Sequence, residues 1–191
     1  MSENNISQKQ PITENRRLAK CVAAGVIALT ILIMGPVKLS GLRKDAVNVF
    51  RYGTSTKYTV SVMNDIRQSA NSANILAGMF EAVLGESDDI KQYKEIAKSL
   101  LESNDETELL SGFYSLKLLT DDLYTKYLNS SPADAADAKK QYDVIKSAFT
   151  TIGNDSYQAL ASSFNDTRSE FPANVLSALG GVSTLPTSGG N

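Results

Sequence analysis

The sequence predicts an all-α protein: a single N-terminal transmembrane helix followed by a long antiparallel helical bundle. Three observations carry this reading. Residues 21–37, CVAAGVIALTILIMGPV, hold no charge and lie between Arg16, Arg17 and Lys20 on one side and Lys38, Arg43 and Lys44 on the other. Downstream, apolar residues recur every three to four positions, the period of a helix buried along one face. No stretch alternates strongly enough between apolar and polar residues to read as a strand.

The elements follow in order. Residues 1–16 are polar, rich in Asn, Gln and Ser, and include Pro11; they read as a disordered tail. Residues 17–37 read as the transmembrane anchor. A helix over 21–37 rises roughly 25 Å, against a hydrocarbon core about 30 Å thick. Lys20 and Lys38 can extend their stems to the headgroups and close the difference. Pro36 is expected to perturb or end this helix, since proline lacks a donor and clashes with the preceding turn. The run has no A-x-A-like close, so an uncleaved signal-anchor is expected rather than a cleaved signal peptide. Cys21 precedes the apolar run instead of following it, the wrong order for a lipidated cysteine, and reads as a small residue of the span.

Residues 38–180 read as the bundle. Leu39, Leu42, Ala46, Val49 and Phe50 fall at helical spacing, and Gly53-Thr-Ser-Thr interrupts them. Val62, Ile66, Ala70, Ala73, Leu76, Phe80 and Val83 form the next stripe, closed by Gly85 as C-cap. Ser87 before Asp88 and Asp89 is an N-cap with acids in the first turn, where the helix dipole favours them. That helix reaches about Leu101. Ser103-Asn-Asp-Glu begins another, with Leu109, Phe113, Leu116, Leu119, Leu123 and Tyr127 on one face. Ser131 and Pro132 read as N-cap and first helical position of the next. It carries Tyr142, Ile145, Phe149 and Ile152, then Tyr157, Leu160 and Phe164, with Gly153 as a local weakness of about 1 kcal/mol. Pro172 ends it or restarts it as a short helix, Ala173 to Leu179. Residues 181–191, rich in Gly and Ser, read as a flexible tail. Short turns between long helices make antiparallel neighbours.

Charge and composition narrow the function. Residues 1–44 carry seven Lys/Arg against two acids, and residues 45–191 carry twelve against nineteen. The acidic domain repels phosphate backbones, so no nucleic-acid partner is expected; the basic flanks suit anionic headgroups. The chain has no His and one Cys. This excludes His-dependent triads and most Zn sites within one chain, and any intramolecular disulfide. No G-x-G-x-x-G or P-loop spacing occurs. Asp88-Asp89, Asp121-Asp122 and Asp134 with Asp137 are the candidate metal or acid–base pairs, but they lie in first turns or opposite the apolar stripes and read as capping or solvated residues. No catalytic, cofactor-binding or metal-binding residue is assigned, and no cofactor. Asn129, Asn154 and Asn165 match the glycosylation tripeptide at a rate an Asn- and Ser-rich chain produces by chance. Ala23, Ala24, Gly25 and Ala28 offer small residues that can seat a partner helix. Arg67 and Asn74, two turns apart, read either as a polar network at a helix interface or as a snorkelling Arg and a surface Asn. The basic residues at the two ends of the span are nearly balanced. A short tail with adjacent Arg residues tips orientation slightly towards an extracytoplasmic domain.

The end of the chain carries a resemblance. Tyr157, Ala159-Leu160, Phe164-Asn165, Phe171-Pro172, Asn174-Val175-Leu176 and the Leu179-Gly180 close are similar to the ending of the LemA family of bacterial membrane proteins. Asn74-Ile75-Leu76 after Arg67 resembles that family's basic, apolar, Asn-Leu segment on an early long helix. The usual early Trp is missing, Ala73 stands where the family has Pro, and a doubled Arg is reduced to Arg67-Gln68. The resemblance implies a membrane-anchored long helical bundle, and it implies no reaction. The expected function is therefore interaction or scaffolding at the membrane. Its expected partners are the lipid bilayer and another protein or a second copy. A sensory or adaptor domain is the alternative.

Overall fold

A computed structural model describes residues 16–54, 61–130 and 135–188. Within them the chain forms helices α1 (Arg16–Tyr52), α2 (Val62–Leu84), α3 (Asp88–Glu102), α4 (Glu106–Ser130), α5 (Ala135–Gly153), α6 (Ser156–Ser169) and α7 (Ala173–Leu179), with no strand among the described residues. The expected Ser131–Pro132 cap and the tail before Arg16 lie outside the described residues.

The starts and stops are local chemistry. Ser61 accepts a hydrogen bond from the Asn64 amide at 3.2 Å and opens α2; Ser87 does the same for Ile90 at 3.3 Å and opens α3. Each satisfies an amide that the first helical turn leaves unpaired. Gly53 (φ 74°) and Gly85 (φ 78°) follow α1 and α2, and that left-handed backbone suits residues without a Cβ. The α4 cap is Asp105, whose carboxylate takes the Thr107 and Glu108 amides at 2.9 and 3.0 Å. Ser103, expected to begin this helix, instead donates to Glu108 at 2.7 Å.

Helix α2 is the centre of the bundle and packs against α1, α3, α4 and α5. Its buried face is mostly small: Ser69, Ala70, Ser72, Ala73 and Ala77 lie between Ile66 and Leu76. Small side chains let neighbouring backbones come close, and larger residues fill the ends. Phe80 packs against Tyr93 and Tyr127 with ring centroids 6.0 and 5.6 Å apart. The buried Tyr93 hydroxyl is satisfied by Thr120 at 2.9 Å. Gly112 admits Leu100 where α3 meets α4: a Cβ there would sit 2.9 Å from a Leu100 methyl.

Three sequence expectations are corrected. Pro36 does not break the first helix: α1, 37 residues long, continues through it, so the apolar run and the stripe from Leu39 to Phe50 are one element. A proline costs one hydrogen bond and a local clash, and here the turn is packed, with Gly180 against the proline ring. Second, the helix expected to run from Tyr142 to Phe164 is two helices. It stops at Gly153, and Asp155 caps α6 by accepting from the Tyr157 amide at 2.7 Å. This resets the helical phase, so Tyr157, Ala161 and Phe164 are buried while Leu160 is exposed. Third, the chain from Gly181 to Ser188 is laid along α6. Val182 and Leu185 are buried. Arg168 donates to the Val182 carbonyl at 2.7 Å and Tyr157 to the Pro186 carbonyl at 2.7 Å. Asn165 binds both backbone groups of Leu185, at 2.8 and 2.9 Å, and Gln158 accepts from the Ser188 amide. Donors and acceptors spaced along α6 thus replace the partners a strand would have.

Candidate functional site

The first part of α1 is the most unusual surface of the molecule. From Leu18 to Val37 its large apolar side chains, including Val26, Ile27, Leu29, Ile33 and Met34, are all exposed. Its 18-residue window has a mean hydropathy of 2.2, and none of it is buried. The helix is long and apolar enough to cross a membrane. Cys21 and the small residues Ala23, Ala24, Gly25 and Ala28 share this exposure.

The helix then enters the bundle. Leu39, Ala46 and Phe50 are buried, and α1 packs against α6, α7 and α2. At the changeover, α7 closes on Gly35 and Pro36. A Cβ at position 35 would lie 2.5 Å from Leu176 Cδ1, and one at position 180 would lie 2.7 Å from Pro36 Cβ. Leu176 is therefore buried, whereas Val175 and Leu179 on the same short helix, and Phe171 just before it, are exposed.

The other end of α1 is fastened by charge. Glu106, at the start of α4, is only 4 % exposed. Arg51 meets its Oε1 at 2.7 and 3.1 Å and also donates to the Asn104 carbonyl at 3.1 Å; Arg43 lies 3.9 Å from Oε2. Phe50 stands edge-on to Tyr157 at 5.0 Å. Burial, and secondly the Glu106 charge, hold the Tyr157 hydroxyl well above its ordinary pKa, with Arg43 opposing. A buried carboxylate is tolerated because two guanidiniums and α4's own N-terminal dipole compensate it. This cluster escaped the sequence reading, because Glu106 sits among acids that look like ordinary first-turn residues.

The candidate acids of the sequence are dispersed. Asp88 and Asp89 lie in the first turn of α3. Lys126 reaches Asp89 at 3.1 Å and Asp122 at 2.7 Å. Asp121 pairs with Lys117 and accepts from Tyr142, while Asp137 pairs with Lys140 at 2.8 Å. Asp134 lies outside the described residues. Among the described residues no three metal-ligating side chains converge. Arg67 and Asn74 are not brought together. Arg67 closes the α3–α4 turn, donating to Asn104 Oδ1 at 3.0 Å and the Ser103 carbonyl at 3.4 Å, while Asn74 faces solvent. The Asn165 side chain is committed to Leu185.

A groove of about 500 Å³ runs between α4 and the C-terminal segment, lined by Thr107, Leu110, Tyr114, Asn165, Leu185 and Pro186. It contains no ionisable group other than the Tyr114 phenol, whose pKa burial raises. Hydroxyls, an amide and apolar walls can hold a surface but supply no general acid or base of ordinary strength.

Comparison of the chain with protein-family models, with curated proteins and with solved structures finds no match.

Proposed function

We propose that this protein is a membrane-anchored helical scaffold of LemA type, in which α1 spans the bilayer and the antiparallel bundle is displayed at its surface to bind another protein or a second copy. The observation that carries the reading is the run from Leu18 to Val37, whose large apolar side chains are all exposed. Exposed apolar patches of this extent mark membrane or protein contacts. The basic residues on both flanks, and the change from exposed to buried positions at Leu39, support a bilayer boundary near Lys38. The dispersal of the acids into caps and ion pairs supports binding rather than catalysis. A sensory or adaptor role at the same place is the second reading; the groove beside Asn165 favours it as a spot where a partner segment can lie.

The test is fractionation. Expressed as the full chain, the protein should remain in the membrane pellet after a carbonate wash and enter the soluble fraction only with detergent. Release by carbonate alone would overturn the anchor.

A further inference from the structure

The exposed corner formed by Phe171 and α7 has no cover among the described residues. Phe171 is 83 % exposed, Val175 48 % and Leu179 68 %. Placing three large apolar groups in water on one seven-residue helix and its entry is costly, at about 25 cal/mol for each Å². The corner is not an isolated patch. Leu176, one turn of α7 before Leu179, is seated on Gly35, and Gly180 is seated on Pro36. Both contacts fall at the last turn of the exposed apolar run of α1, directly before Lys38. The rest of α7 is therefore held at the level where that run ends.

Charge points the same way. Glu170 is the last ionisable side chain of the sequence, and the 21 residues from Phe171 to Asn191 carry none. Lys38 and Lys44, both exposed, follow the apolar run on α1. An apolar face joined to the end of an apolar helix, where lysines take over along that helix, is the pattern of a segment lying in a membrane interface.

We infer that Phe171, Val175 and Leu179 form a second, interfacial contact with the lipid bilayer, beside the point where α1 leaves it. The inference rests on the reading of α1 as a span, and it divides the corner: Leu176 packs on the protein, while Phe171, Val175 and Leu179 meet lipid. The contact gives the bundle one preferred face towards the membrane.

The chain has no Trp, so single-Trp variants report cleanly. Full-length protein carrying Phe171→Trp, Leu179→Trp, Ile27→Trp or Leu118→Trp is reconstituted into vesicles of phosphatidylcholine and phosphatidylglycerol, with and without acyl-chain bromination. Ile27 reports the span, and Leu118, exposed on α4, reports the bundle surface. The expected result is blue-shifted emission and loss of most of the fluorescence in brominated vesicles for Phe171→Trp, Leu179→Trp and Ile27→Trp, with Leu118→Trp unaffected. Quenching of Ile27→Trp without quenching at 171 or 179 would overturn the interfacial contact and leave the anchor standing. Quenching at 171 and 179 but not at 27 would uphold the contact and remove the span. Blue-shifted but unquenched emission at 171 would mean that a second copy covers the corner, which overturns the inference. Equal quenching at 118 and 171 would overturn it as well, since lipid would then be reaching the whole bundle surface. Each position is exposed, so the substitutions leave the packed core unchanged.

Discussion

Leu176 rests where Gly35 has no side chain: a Cβ at position 35 would meet its Cδ1 at 2.5 Å. The neighbouring contact, Gly180 on Pro36, is equally close but meets a rigid ring and, at 3.3 Å, the Leu176 carbonyl. The two glycines should therefore respond differently. Gly35→Ala asks only the flexible end of the Leu176 side chain to shift and gains about 1 kcal/mol of helix propensity, so the melting temperature in detergent should hardly change. Gly180→Ala cannot displace the ring and should cost about 1–3 kcal/mol, seen as a lower melting temperature by circular dichroism.

Phe80→Ala should cost about 3–5 kcal/mol and Leu116→Ala about 2–5 kcal/mol, because both side chains are fully buried. Leu160→Ala should stay within about 0.5 kcal/mol, since that leucine is 43 % exposed. Urea titration distinguishes the two cases. A large effect at Leu160 would mean that α6 packs on a different face.

The contrast at Leu160 shows where periodicity is informative. The stripe of α2, the Ser87 cap, Gly85 and the restart after Pro172 are all legible, because each depends on residues within one or two turns. The break at Asp155 leaves a subtler mark. Ile152 and Tyr157 are five apart, which is no helical spacing, and Asn-Asp-Ser between them is a cap as readily as a glycosylation tripeptide. The seating of residues 181–188 leaves no periodic mark, because its partners are side chains of α6 that reach across to backbone. The candidate surface divides the same way. The apolar run is plain in the sequence, whereas the contacts of α7 with Gly35 and Pro36, and the Arg51–Glu106 pair, join residues at least 55 positions apart.

Asn165→Leu should release the C-terminal segment. It removes a donor and an acceptor for Leu185 and leaves two backbone groups unpaired, at about 1–3 kcal/mol each if they stay buried. Faster cleavage after Gly181 by a non-specific protease, with helix content retained, is the expected outcome.

Arg51→Ala should destabilise the chain by about 1–3 kcal/mol. The arginine is itself about a third exposed, but its loss leaves buried Glu106 with only Arg43, at 3.9 Å. The double variant Arg51→Ala/Glu106→Gln should recover part of the loss, because the uncompensated charge is gone. Chemical denaturation of the pair and both singles gives the coupling directly.

Asp65→Asn should raise stability at pH 7. Burial, and secondly the charge of Asp155, raise the Asp65 pKa in the folded state. Above both the folded and unfolded pKa values the folded chain holds a disfavoured charge; as pH falls through the folded pKa that penalty is relieved, and below the unfolded value, near 3.9, it is absent. The advantage of the Asn variant in melting temperature should therefore shrink on acidification. A difference independent of pH would remove the electrostatic explanation.

The continuity of α1 through Pro36 has a mechanical consequence. On the proposed reading, anchor and bundle share one helix, with no joint between them at the membrane surface. From Pro36 to Tyr52 the helix rises about 24 Å. A tilt of about 20°, usual for a spanning helix, would carry its far end sideways by roughly 8 Å, with α6 and the Arg51–Glu106 clasp moving along. Bilayer thickness, which sets such tilt, would thereby steer the height and heading of the whole bundle, as a keel steers a mast.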